Sequence, residues 1–214
     1  MFRTMKRMRL AACLFVAGSL PAALPAGEMQ NPQEADWPCA QILVPEVSAA
    51  VVWAGPPLTG MEESWKQDEG VASLVLRLAS PDYDMDKADA AIADFSAKQD
   101  VSRRDHKLTL LFAGVLQSLN EKRRKVLDGI MLYARGQATR ADQLSEELDE
   151  MVRLQDDPSQ AARERLAVMQ KEMEFKQRMF DEREMFIQHL CTRPVLVEQK
   201  LGSLARTIAY YLGG

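Results

Sequence analysis

The sequence predicts an all-α fold: a helical bundle with a long antiparallel coiled-coil hairpin, over about residues 105–155 and 158–192, and an irregular N-terminal strap. Three observations lead to this prediction. Most of the prolines and glycines that would interrupt a helix lie before residue 70. Beyond that point apolar residues recur at helical spacing to the end of the chain. Finally, two long helical stretches carry matching heptad patterns on either side of a turn at 155–158.

Residues 1–26 have the organisation of a secretory signal peptide. A start with four basic and no acidic residues is followed by an apolar stretch from Leu10 to about Leu20, and then by small residues and prolines. The stretch is too short to cross a bilayer, which takes about 20 residues. The sequence Leu10-Ala11-Ala12-Cys13 resembles a lipoprotein cleavage box. It precedes the apolar core instead of following it, however, so we expect Cys13 to be discarded with the signal.

The charge of the chain excludes several classes of partner. Removal of the four basic residues of the signal changes the net charge from −4 to about −8. An acidic protein of this kind is a poor candidate for binding nucleic acid or an anionic membrane surface. The basic run Lys122-Arg123-Arg124 is too short to change that expectation. No second hydrophobic stretch approaches spanning length, so we expect a chain that does not span the membrane.

Residues 27–69 are expected to form a strap over a helical core. Their prolines and glycines rule out a continuous helix, but apolar and aromatic residues between them distinguish this segment from a disordered linker. We expect the tryptophans Trp37, Trp53 and Trp65 to anchor the strap. The run Val51-Val52-Trp53 suits a short strand, although the sequence offers no clear partner strand.

The helical domain is expected to cover residues 70–214. A first helix is predicted over Val71–Ala79, where four apolar residues share one face, and Pro81 ends it. Asp84 is placed to cap a second helix from Met85 to about Lys98.

The hairpin is predicted from its turn and from its heptads. The run Asp157-Pro158-Ser159-Gln160 combines a capping carboxylate, a proline suited to the first helical position and a glutamine that completes a capping box. Pro194 is expected to end the second long helix near Thr192, leaving a final helix over Val195–Leu212. The predicted seam positions are Ala134, Gln137, Ala141, Leu144, Leu148, Met151 and Gln155, facing Ala162, Leu166, Met169, Met173, Lys176, Phe180, Arg183, Ile187 and Leu190.

Without other core to contact, the hairpin over about 135–180 is expected to project into solvent. Its outer face carries charged side chains, which we take as the candidate partner surface: Arg140, Glu146, Glu147, Glu150, Arg153 and Arg163.

The two cysteines outside the signal, Cys39 and Cys191, have two interpretations. An exported chain with two thiols most simply forms one disulfide. Alternatively, Cys39 and Cys191 could join His189 and Met185 in a site for a soft ion such as copper(I). The disulfide is the preferred interpretation, because the methionines lack the close spacing of a copper motif and several of them fall on the predicted seam.

The chain lacks the sequence patterns of the common catalytic sites. It has two histidines and no His-Glu-x-x-His, glycine-rich phosphate loop, Gly-x-Ser-x-Gly or Cys-x-x-Cys. The acidic run Ser145–Glu150 lacks the glycine turn of a calcium loop. We therefore expect a protein that is not an enzyme and that uses no cofactor.

The N-terminal segment Asp36-Trp37-Pro38-Cys39, followed by Pro45-Glu46 and Val52-Trp53-Ala54-Gly55, resembles a group of small exported helical proteins of proteobacteria. The resemblance implies a Gram-negative periplasm as the location. Its motifs are structural, and no activity or functional residue is carried over with them.

Together these observations favour a non-enzymatic periplasmic interaction or accessory protein. Its partner would be another protein, or a second copy of the chain, bound through the helical hairpin. The alternative is a copper-binding or metallochaperone protein that uses the four residues named above.

Overall fold

A computed structural model describes residues 36–213, and these are all-α, which confirms the predicted fold class. The described part of the chain contains no β-strand and five α-helices: α1 (Ala49–Val52), α2 (Glu69–Ala79), α3 (Ala88–Ala97), α4 (Val101–Asp156) and α5 (Gln160–Tyr210). Two short 3-10 helices, Ser64–Gln67 and Met85–Lys87, precede α2 and α3. The predicted signal peptide, its Cys13 and the strap residues 27–35 lie outside the described residues.

Acidic caps begin α2 and the 3-10 helix that precedes α3. The Asp68 carboxylate accepts a hydrogen bond from the backbone N–H of Val71, and Asp84 accepts one from Asp86. The four apolar positions predicted to share a face of α2 are all buried: Val71, Leu74, Val75 and Leu78. The sequence therefore located α2 to within two residues, whereas residues 85–87 of the predicted second helix form a 3-10 helix and α3 begins at Ala88.

The helices α4 and α5 pack closely as an antiparallel helical hairpin. Its turn differs in detail from the prediction, because Ser159 is the N-cap of α5 and accepts from the backbone N–H of Ala162. Asp157 instead accepts from the N–H of Ser159, and Pro158 precedes the helix. The predicted capping box is wrong: the Gln160 amide donates to the Glu164 carboxylate, one turn further along.

The predicted break at Pro194 is also wrong, since α5 continues through this residue to Tyr210. A proline inside a helix cannot donate to the carbonyl four residues earlier, which here is that of Leu190. The next carbonyl, Cys191 O, accepts a hydrogen bond of 2.6 Å from the side-chain amide of Gln41 in the strap. The Pro194 ring itself is buried. Tertiary contacts thus stabilise a helical turn that its local sequence disfavours.

The main hydrophobic core lies where α2 and α3 pack against the start of α4 and the end of α5. It contains apolar residues from the stretches Leu108–Leu119 of α4 and Leu201–Ile208 of α5, and among them Phe112 is fully buried. No residue between 120 and 196 belongs to this cluster. The end of the hairpin formed by the start of α4 and the end of α5 is called the base below. Residues 135–180 are called the distal hairpin.

The strap crosses this base and is anchored by its tryptophans. Trp53 stacks on Phe112 with ring centroids 4.0 Å apart, and Trp65 is buried and donates to the Gln117 amide oxygen at 2.7 Å. Both confirm the prediction, whereas Trp37 donates only to Gln41 O within the strap. The suggested strand at 51–53 is wrong: Val51 and Val52 belong to α1, which is capped by Ser48.

Candidate interaction surfaces of the hairpin

The disulfide between Cys39 and Cys191 is present, as predicted, with the two Cα atoms 5.6 Å apart. It joins the strap to the base of the hairpin across 152 positions of sequence. Asn120 of α4 adds a second attachment. Its side chain accepts from the N–H of Val47 and donates to Val47 O, both at 3.0 Å.

Arg123 provides a third attachment. Its guanidinium is buried and donates to Val44 O and Pro45 O of the strap. The same group forms an ion pair with Glu198 of α5 at 2.6 Å. Arg123 therefore does not belong to an exposed basic patch, as the run Lys122-Arg123-Arg124 suggested. Its guanidinium is not solvated; it links the strap, α4 and α5.

The residues of the alternative copper site are not assembled in this state. Both sulfur atoms are consumed by the disulfide, Met185 is 65% exposed and His189 is also at the surface. Over residues 36–213 no three His, Cys, Asp or Glu side chains are grouped so that they could hold a metal ion. A thiolate site would require the reduced protein.

The six residues predicted to form the partner surface fall into two groups on the distal hairpin, four exposed and two half-buried. Arg140, Glu146, Arg153 and Arg163 are exposed. Glu147 and Glu150 are half-buried and form ion pairs across the hairpin, Glu147 with Lys176 and Glu150 with Arg165, both at 2.6 Å. The Glu147 carboxylate raises the pKa of Lys176 through its hydrogen bond. These two glutamates join the helices to each other and leave less charge for a partner than was expected.

The seam follows the prediction on α5 except at Lys176, which is exposed, and it departs from the prediction at three positions on α4. Ala162, Met173 and Ile187 are buried, and Gln137 is the buried polar member on α4. Ala141, Leu148 and Gln155 were predicted to be inside but are exposed, and Leu148 is 50% exposed. The places of Leu148 and Gln155 are taken one residue earlier, by Glu147 and Leu154, which are half-buried.

Two neighbouring grooves run along one side of the distal hairpin. One, of about 390 Å³, is lined by the apolar side chains Leu144, Phe175, Met179 and Phe180. The other, of about 560 Å³, contains Val168 and Met169. The ion pair of Glu147 with Lys176 borders both grooves.

Large apolar side chains remain exposed along these grooves. Val168 is 57% and Phe175 is 59% exposed, and the two lie seven residues apart, on the same face of α5. The predicted heptads do not include these two residues, because both lie outside the seam. Apolar residues seven apart at positions outside the seam were the signal in the sequence.

Further comparisons identify no relatives from which function could be inferred. No family model, curated protein or solved structure matches this chain. Within the described residues no helix has both the length and the apolar character needed to cross a membrane.

Proposed function

We propose that this chain is a non-enzymatic interaction or accessory protein of the periplasm that binds a protein partner through its distal hairpin. The observation that carries the proposal is the pair of exposed apolar side chains, Val168 and Phe175, beside two grooves. Contiguous apolar surface on a soluble helix pair is typical of a surface that another protein covers.

The distribution of structure along the hairpin supports the same proposal. The hydrophobic core and the strap attachments at Cys191, Asn120 and Arg123 lie at the base, whereas the distal hairpin contributes nothing to the core cluster. A length of paired helix that is not needed to bury the core is available for a partner. The disulfide supports export to an oxidising compartment, because such bonds persist there and are rare in the cytosol.

The occupant that fits best is a helix of the partner that presents its own apolar face. Val168, Phe175 and the neighbouring Met179 follow one side of α5 at intervals of seven and four residues. A partner helix packed alongside would bury this line of side chains, as in a three-helix arrangement. The mixed charges of Glu147 and Lys176 would then lie within the contact.

Site-specific photo-crosslinking tests the proposal in the cells that make the protein. A photoreactive phenylalanine analogue replaces Val168 or Phe175 in turn, and Leu76 serves as the control, since it is 68% exposed on α2 at the other end of the molecule. We expect discrete adducts from positions 168 and 175 and none from position 76. Adducts of the mass of two copies would identify the partner as the chain itself.

A matched pair of variants measures the contribution of the surface. Val168→Ser with Phe175→Ser is compared with Leu76→Ser; all three side chains are already exposed, so each substitution should change the free energy of unfolding by no more than about 0.5 kcal/mol. We expect the double variant to abolish adducts formed from a probe at Met179, and the control to retain them. Equal adduct yields from the two variants would refute the proposal.

A further inference from the structure

A cleft of about 660 Å³ opens at the base of the hairpin, between the C-terminal end of α2, α4 and α5. The strap contributes no residue to its lining, and the residues that bind the strap, Asn120, Arg123 and Cys191, are absent from it as well. The floor is apolar and includes Leu119, Val126, Phe186 and Leu196. Phe186 is 46% and Leu196 is 60% exposed, so this floor is open to a ligand.

Basic side chains border the cleft on both sides, in a protein that is acidic as a whole. Lys122 and Lys125 come from α4, and His189, Arg193 and Lys200 come from α5; no lining residue is acidic. Over residues 36–213, none of these lysines and arginines forms an ion pair with a carboxylate. The cleft therefore concentrates positive charge around an apolar surface.

The lysines nearest α2 have a structural role and form no ion pair with a carboxylate among the described residues. Lys122 donates to Ala79 O at 2.6 Å, and Lys200 donates to Ser80 O, at the C-terminal end of α2, where carbonyl groups favour a cation. Burial and then the charge of Lys122 lower the pKa of Lys200, and Asp82 acts in the opposite direction. A bound anion would relieve the repulsion between the two ammonium groups.

We propose that this cleft binds an acidic amphipathic helix of a partner protein. An apolar stripe on that helix would contact Phe186, Leu119 and Leu196, and carboxylates on both sides of the stripe would meet the basic borders. This surface is distinct from the grooves of the distal hairpin, and neither proposal depends on the other.

The spread of the charges favours a helix over a small anionic amphiphile such as a fatty acid. From His189 to Lys200 the basic residues of α5 extend over eleven positions, which is roughly 16 Å of helix. A single anionic head group would contact only one part of such a border. Carboxylates repeated along about three helical turns would engage its whole length.

A peptide-display selection on the purified full chain tests the charge preference. The library consists of helices about four turns long, with leucines fixed at heptad seam positions and with the flanking positions randomised among Glu, Gln and Lys. We expect glutamate to outnumber lysine by about tenfold at the flanking positions. Recovery of no binder, or of binders without a preference for glutamate, would overturn the proposal.

Charge-reversal variants locate the binding. Lys125→Glu with Arg193→Glu removes two cations that donate no hydrogen bond within the described chain, and Lys171→Glu with Arg178→Glu makes the same charge change on the distal hairpin. The best selected peptide should bind the first variant about tenfold more weakly than the wild type, and the control within about twofold. Equal affinities, or saturable binding of decanoate to the cleft without any peptide binder, would contradict the proposal.

Discussion

At the scale of single residues, Gly114 shows how closely the strap approaches the hairpin. A Cβ atom at this position of α4 would lie 2.6 Å from Val75 Cγ2 and 2.8 Å from Trp65 Cδ2, which is closer than such atoms can come. The missing side chain is therefore what lets the indole of Trp65 and the α2 side chain rest against the α4 backbone. Gly129, on the same helix, has no such neighbour within 4 Å.

The two glycines should respond in opposite directions to replacement by alanine. Alanine is favoured over glycine in a helix by about 1 kcal/mol, and at Gly129 that preference acts alone. At Gly114 overpacking costs about 1–3 kcal/mol, which exceeds it. We expect Gly129→Ala to raise the free energy of unfolding in urea and Gly114→Ala to lower it. A rise in the free energy of unfolding of Gly114→Ala would show that the close approach is not limiting.

The sequence predicted the residue-scale features that depend on chemistry and missed those that depend on packing. Cys39 with Cys191 followed from the number of cysteines, and Trp53 and Trp65 followed from their presence among prolines. The need for glycine at position 114 and the burial of Arg123 did not, because both arise from segments more than 30 residues distant in sequence. A basic run on a helix looks the same whether or not a strap covers it.

At the scale of the elements, α5 shows tertiary structure overriding a local signal. Pro194 interrupts the backbone ladder of the helix, and the contacts nearby come from the strap, through Gln41 and the disulfide at Cys191. A proline followed by a helical pattern is read as a break when the chain is considered locally. Here the neighbouring turn is tied to another segment and the helix continues.

Replacement of Pro194 by alanine should stabilise the protein. In a helix interior proline is about 3 kcal/mol less favourable than alanine, whereas the loss of two buried ring carbons costs roughly 1.6 kcal/mol. The lost rigidity of the unfolded chain reduces the gain further, so we expect the free energy of unfolding to rise by about 1 kcal/mol. Urea unfolding followed by circular dichroism measures it. A destabilised variant would mean that the ring is needed for packing.

The seam of the hairpin was predicted in outline but not in its rotation. Heptads locate the pairing of α4 with α5, yet an α-helix drifts by about 20° per heptad from a strict seven-residue repeat. On α4 this difference decides whether residue 147 or residue 148 faces α5, and in the structure Glu147 is the one that does. Its pairing with Lys176 across the hairpin compensates for the charge. Hydrophobicity alone favours Leu148 over Glu147 as the residue that faces α5, so the heptad pattern predicted the wrong position.

At the scale of the whole molecule, the contacts that hold the fold together lie apart from the exposed apolar side chains of the distal hairpin. The core, the disulfide, Asn120 and Arg123 all lie at the base, and the exposed apolar pair Val168 and Phe175 lies on the distal hairpin. Changes at the disulfide should therefore affect how the strap is held without altering the distal surface. This separation is testable.

Cys39→Ser with Cys191→Ser should lower the free energy of unfolding by up to about 5 kcal/mol, because the bond closes a loop of 152 positions and restricts the unfolded chain. We expect faster hydrogen exchange in strap residues 41–47 and unchanged crosslinking from position 175. Gln41→Ala serves as the control: it removes one strap hydrogen bond but leaves the covalent link.

In the wild-type protein, the intact mass should show the loss of two hydrogens and no alkylatable thiol. Two free thiols would instead make Cys39 and Cys191 available to a soft metal, with His189 and Met185, and would support the copper alternative.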